Sequence, residues 1–557
     1  MKMFRLVFLF LLAVPLFAQD YDVLIRNGRV VDGSGNPWFW ADIGIKGDRI
    51  ALVGRAPMNA SAKRNIDATG LIVAPGFIDM LEQSEYNLLV DRQAVSKLTQ
   101  GITSGITGEG NSISPQNKET IADQKDWLDH YHQTVDWTDL KGYFERLEKQ
   151  GSGINLGTYV GAAQVREYVV GHDDRAATPE ELRKMQALVE EDMKQGALGV
   201  STALIYAPGN YASTEELVAL AQAAAKHGGI YASHIRNEGM NEKAALDEAF
   251  RIGREAKIPV HIFHLKTAGK DNWGKMPDVL VAILNARKEG LEVTANQYPY
   301  IASATSLGAA IPPKYHAGGT DTFVARLKDP KTRTQIKQEL ESRAQGGGEN
   351  MWRGPGGPEG ILVSSVLNPQ LKQYEGKRVS EIAKIQNKEP MDALMDLVAD
   401  DRDNVGAIYF SMSEPDVRQA MAQSWVCVGT DYSEVSPTGP LSEGKAHPRA
   451  YGSFPRVLGT YVRDEHLLRM EDAIRKFTSL PAQIVRLQGR GLLKPGFFAD
   501  ITIFNPDSVK DIATFEDPNR TSQGIEYVFV NGVLSVEHDK VTGQVGGRPL
   551  RGPGYEK

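Results

Sequence analysis

Residues 198–235 read LGVSTALIYAPGNYASTEELVALAQAAAKHGGIYASHI. An apolar run, an amphipathic stretch from Thr214 and a second apolar run make one strand-helix-strand unit. The rhythm recurs on both sides. GINLGTYVGA (153–162), IPVHIFHLK (258–266), EVTANQYPY (292–300), NVGAIYFS (404–411) and WVCVGTD (425–431) read as further strands, and TPEELRKMQALVEEDMKQG (178–196) as another helix. Parallel βα units in this number favour a (β/α)₈ barrel over a doubly wound sheet, so chemistry is expected at the C-terminal ends of the strands. The stretch from about 308 to 358, rich in Gly and Pro, breaks the rhythm and reads as an insertion over those ends, a lid or a surface excursion.

The two ends of the chain share a different grammar. YDVLIRNGRVVDG (21–33) and ADIGIKGDRIALVG (41–54) are short β-branched runs with Asn27-Gly28 and Lys46-Gly47-Asp48 as turn signals. GFFADITIFNP (496–506) and GIEYVFVNGVLSV (524–536) match them, turned by Asn531-Gly532. The expected plan is a small β-sandwich domain built from residues 20–73 and 491–557, enclosing a barrel over 74–490.

The chain has 557 residues, 41% hydrophobic and 24% charged, with a net charge of -7 and a pI near 6.0. No basic stripe suits nucleic acid, so the expected partner is a small molecule; oligomeric state is not legible. Residues 1–18 have the make-up of a secretory signal: Lys2 and Arg5, an apolar run to Phe17, then Ala18. No Cys follows to carry a lipid, so no membrane anchor is expected after cleavage, and the protein is expected to be exported, periplasmic or secreted. The lone Cys427 allows no intramolecular disulfide.

Two histidines close apolar runs, His234 and His264. With Glu109 ending GITSGITGEG and Asp431 ending WVCVGTD they make a carboxylate and imidazole cluster of the kind that holds zinc. His261, three before His264, is expected to face away as a structural residue. Lys266 shares the face of His264 and could hold a substrate carboxylate, with a salt bridge at the mouth as a close second reading. Tyr206 and Tyr298 also follow strands.

These segments, together with VAPGFID (73–79), YASHIRNE (231–238) and HPRAYGSFPRVLG (447–459), resemble the D-aminoacylase (N-acyl-D-amino-acid deacylase) group of the amidohydrolase superfamily from about Asp22 to Arg551. The resemblance implies a metal-dependent barrel that hydrolyses the amide of N-acyl-D-amino acids. It makes His234 and His264 ligands of a tightly held zinc and Asp431 the group that takes a proton from water and passes it to the leaving amine. Lys266 and Tyr298 fall where the family holds the substrate carboxylate, Tyr206 lies near that pocket, and Arg449 matches an arginine to which no role is given.

Two departures stand out. The family's His-x-His after GFID is replaced by Leu81 and Gln83, and its cysteine ligand is absent, Glu109 standing within one position. The expectation is therefore one zinc per chain on Glu109, His234 and His264. Gln83, with Glu82 and Glu85, would line the vacated second position and contact substrate. The alternatives are a barrel that binds without hydrolysing, and a hydrolase of another amide, cyclic or dipeptide.

Overall fold

The computed structural model describes residues 19–342 and 349–556; the expected secretory signal at 1–18 lies outside them. Both chain ends enter one nine-stranded sheet. The join is the antiparallel pairing of Ile72–Pro75 with Ile501–Phe504, in which Val73 faces Ile503. Ile25, Ile43, Val73, Ile501 and Phe529 pack there as a core separate from the barrel's. Asn531-Gly532 turns its hairpin with positive φ at both residues (49° and 80°). Asn27-Gly28 does not turn the chain. It is a bulge inside the strand Tyr21–Val30, where the register against Phe39–Lys46 slips. A Cβ on Gly28 would lie 2.5 Å from Val73 Cγ2, so the glycine answers to packing between strands.

Eight parallel strands form the barrel. Phe77–Asp79, Ile102–Thr107 and Asn155–Thr158 pair as three. After one residue the third strand resumes as Val160–Gly161 and joins Gly199–Ala203, Ile230–His234, Val260–Ile262, Val293–Gln297 and Val426–Val428. Closure runs from Met80 N to the Val428 carbonyl and from Asp431 N to the Leu81 carbonyl. The strands are buried on both faces, as a sheet between a filled interior and a ring of helices must be. Helix Pro179–Gln195 begins in a Thr178/Glu181 capping box, and Thr214–Ala225 begins on Ser213.

The expected strand at 404–411 is not part of the barrel. Gly406–Tyr409 is the centre of a three-stranded antiparallel sheet with Ser303–Ser306 and Ile361–Ser365. Helices Gly319–Lys328, Pro330–Glu341, Val379–Gln386 and Pro390–Asp400 cover it around a core that includes Phe323, Ile336, Val363 and Leu394. The insertion therefore runs from about 303 to 410, wider than 308–358. A short apolar run reads alike in a barrel and in the middle of any small sheet, which is why periodicity misplaced it.

One buried ammonium locks the barrel's closing seam. Lys97, from the short helix Val95–Leu98, donates to Thr430 Oγ1 (2.8 Å), the Tyr432 carbonyl (2.6 Å) and Asp79 Oδ2 (3.3 Å), and lies 3.2 Å from Glu82 Oε2. Asp79 in turn accepts from Thr430 N at 2.8 Å. Burial alone would strip the proton from Lys97, but Glu82 and Asp79 outweigh it and keep the ammonium charged. Lys97→Met should lower stability by about 3–5 kcal/mol, because two carboxylates are then left buried without their cation. Chemical denaturation checks this; a loss under about 0.5 kcal/mol would mean the seam does not rely on Lys97.

Candidate active site

Glu109 sits beyond the second strand between Gly108 and Gly110, both at positive φ (92° and 71°). A Cβ on Gly110 would lie 2.8 Å from Ala203 N, so only glycine lets this loop press against the fourth strand. His234 ends the fifth strand. His264 and Asp431 follow the sixth and eighth with φ of 33° and 50°, left-handed values that are uncommon outside glycine and that cluster at functional sites. The backbone of His264 is held by Asn296 Oδ1, which accepts its N–H at 2.5 Å.

The side chains converge on Glu109. Its Oε1 lies 3.1 Å from His234 Nδ1 and 2.9 Å from His264 Nε2. All three ligand atoms fall within 4.8 Å of one another. Burial opposes the carboxylate, but the two imidazoles win and hold Glu109 well below the usual range. One carboxylate oxygen and two imidazole nitrogens are a donor set suited to zinc, and three protein ligands leave a position open. His264 has outer support: its Nδ1 is 2.9 Å from Glu238 Oε1 and 2.7 Å from Lys266 Nζ, and Lys266 donates to the same Glu238 oxygen at 2.7 Å. Glu238 is thus placed to accept a hydrogen bond from the Nδ1–H when Nε2 serves a metal, the partner a ligating histidine needs. A second group of potential ligands, Asp123, Glu167 and His172, lines no part of the same cavity.

Gln83 crosses the mouth. Its Nε2 donates to Glu109 Oε2 at 2.9 Å and to Asp431 Oδ1 at 3.4 Å, so an amide bridges the two carboxylates. Leu81 points into the barrel core with Met80 and Ile106. Glu82 does not face the cavity as expected, being turned to Lys97, whereas Gln83 and Glu85 line it. Asp431 Oδ2 lies 2.7 Å from Arg449 Nη1, and Arg449 spans the ring of Tyr298 at 4.5 Å and donates to the Ala304 carbonyl. Burial pushes Asp431 up, against the pull of Arg449 and His264.

Around this centre is a cavity of about 370 Å³, whose wall includes Lys266 and Tyr206. Tyr206 sets its ring 5.4 Å from that of His234. Tyr298 is not on the wall: its hydroxyl faces Met412 Sδ at 3.4 Å, and its ring supports Arg449 and Lys266. His261 turns away to Thr294 Oγ1, and burial drops it to about 3. Sequence reading left Glu238 unmarked, although its place four residues after His234 was visible, and gave Arg449 no task.

A model of the amidohydrolase family matches residues 64–536. The protein belongs to that family. D-aminoacylase of Alcaligenes xylosoxydans xylosoxydans is 35% identical over 534 residues, 96% of this chain and 98% of its own. A solved N-acyl-D-glutamate deacylase from Bordetella bronchiseptica, complexed with zinc and a phosphonate mimic of the tetrahedral intermediate, superposes with a TM-score of 0.80 at 31% identity, covering 95% of this chain and 99% of its own. A D-aminoacylase structure concerned with one-metal activation and second-metal attenuation of a binuclear centre superposes at 0.79 with 34% identity, covering 95% and 100%.

In this amidohydrolase the Arg449–Asp431 pair is open to a direct test. Without the guanidinium, Asp431 would be buried near Glu109 with less opposing charge, its pKa would rise further, and the ionised form would be lost at a higher pH. If ionised Asp431 is needed, Arg449→Met should move the acid limb of the kcat/KM profile upward by about one pH unit or more. An unmoved limb would separate Arg449 from the ionisation of Asp431.

Proposed function

We propose that this protein hydrolyses the amide bond of N-acyl-D-amino acids or similar D-residue amides with one zinc ion held by Glu109, His234 and His264. The observation that carries the reading is the convergence of these three ligand atoms on a cavity wall that also holds Asp431, in a chain that aligns over nearly its whole length with D-aminoacylase. A divalent cation supplies, when bound, polarisation of the scissile carbonyl and a lowered pKa for water.

The protein's own groups do the rest. Asp431 takes the proton of the attacking water and returns it to the leaving nitrogen, and Arg449 keeps it oriented and ionised. Gln83 holds Asp431 and Glu109 at fixed separation, in the place where the second histidine of His-x-His stands in the family, so its part is positioning, with one face open to substrate. Lys266 offers the substrate carboxylate a cation on the cavity wall, and Tyr206 shapes the wall beside His234. Tyr298 supports both cations through its ring. The D-aminoacylase relative with one-metal activation supports a centre in which a single metal suffices. We propose export as well, on the strength of the leader at 1–18.

A panel of N-acyl-D- and N-acyl-L-amino acids, assayed with zinc-loaded protein, should show turnover confined to D-compounds. Asp431→Asn should lower kcat by about 10²–10⁴ with metal content retained. Undiminished kcat in that variant would remove Asp431 from proton transfer. No turnover of any amide would favour a barrel that binds only.

A further inference from the structure

The cavity wall carries five carboxylates, Glu85, Glu109, Glu238, Glu349 and Asp431, and one ammonium, Lys266. Most of this charge is answered inside the protein. Glu238 has Lys266, Asp431 has Arg449, and Glu109 has the two imidazoles. Glu349 accepts the Glu238 N–H at 3.3 Å. Neither Glu349 nor Glu85 has a cation beside it, and Glu85 is the less satisfied of the two: its carboxylate has only its own backbone N–H, and its Oε2 is buried with no hydrogen-bond partner among the described residues.

Glu85 is also rigidly mounted. The Tyr143 hydroxyl donates to its carbonyl at 2.7 Å, and the amide of Asn87 donates to the Glu434 carbonyl at 2.7 Å. Tyr86 and Trp127, rings 5.6 Å apart, line the same cavity and add aromatic faces of the kind that attract cations. A carboxylate taken from water without a partner is costly, and the cavity is the open side from which a partner can arrive.

We propose that the substrate of this amidohydrolase carries a positive charge, an ammonium or guanidinium, that forms an ion pair with Glu85 beside Tyr86 and Trp127. This deepens the reading of the site as an amide hydrolase and rests on it. The cation has two possible sources with the same chemistry: the side chain of the D-amino acid, or a free amino group on the acyl part, as in an aminoacyl-D-amino acid. An anionic side chain finds no unpaired cation on this wall and is disfavoured. Burial already lifts Glu85 to about 8, a bias that an arriving cation reverses.

The test compares matched substrates on zinc-loaded enzyme. N-acetyl-D-lysine is set against N-acetyl-D-norleucine and N-acetyl-D-glutamate, and glycyl-D-alanine against N-acetyl-D-alanine. In wild type, one cationic member should exceed its neutral match by about tenfold or more in kcat/KM, the arm that does so naming the source of the charge. N-acetyl-D-glutamate should be the poorest of its set. Glu85→Gln should collapse the ratio of charged to neutral, and Glu85→Asp should restore part of it. Neutral substrates equal to or better than both cationic ones in wild type would overturn the proposal, as would a ratio that survives Glu85→Gln.

Calorimetric binding of N-acetyl-D-lysine, glycyl-D-alanine, N-acetyl-D-norleucine and N-acetyl-D-alanine to the same proteins separates the two readings. If no amide is turned over but either cationic compound binds more tightly than its neutral match in a Glu85-dependent way, hydrolysis fails and the cation site stands. Equal binding within both pairs, with no turnover, overturns both.

Discussion

The placement of Gln83 and Asp431 depends on the Lys97 ammonium buried in the seam between the first and last barrel strands. By binding Asp79, Thr430 and the Tyr432 carbonyl together, it fixes the end of the first strand against the loop of the eighth. Four residues past Asp79 stands Gln83, and one past Thr430 stands Asp431. The contact between them across Glu109 is set by a charge that never meets solvent. Desolvating an ammonium and two carboxylates is expensive, and the attraction of Lys97 for Asp79 and Glu82 offsets part of that cost.

Above this seam the chain handles charge unevenly. Glu109, Asp431 and Glu238 each have a cationic or imidazole partner within 3.1 Å, which holds Glu109 and Glu238 low and opposes the rise that burial gives Asp431. Gln83 adds a neutral donor between Glu109 and Asp431, so two negative groups are tied together by an amide. Glu85, a few residues along the same loop, has no such partner. The short segment 79–85 thus carries the seam carboxylates Asp79 and Glu82, the bridging Gln83 and the proposed cation site Glu85.

Much of this was legible in the sequence. His234, His264, Glu109 and Asp431 each end an apolar run, and strand alternation places such residues at the mouth of a barrel, where the structure brings all four. Leu81 and Gln83 were visible as departures from His-x-His, but the direction of each side chain was not: one enters the core and the other spans two carboxylates. Long-range pairings were the blind spot. Nothing near Lys97 or Arg449 in sequence points to Thr430 or Asp431, because those partners are more than 300 residues away for Lys97 and reached only through folding for Arg449. The strand Gly406–Tyr409 was misplaced for the same reason, since its neighbours, not its composition, decide which sheet it joins. Asn27-Gly28 reads as a turn by local chemistry and becomes a bulge because Val73 packs against it.

The proposed site is a single metal centre built on Glu109, in a chain similar to a D-aminoacylase described with a binuclear one. Zinc titration of metal-free protein, read as equivalents bound per chain, tests it most directly. The expected result is about one equivalent in wild type and none held tightly in Glu109→Ala or His234→Ala. Two equivalents in wild type, or a full equivalent kept by Glu109→Ala, would contradict it.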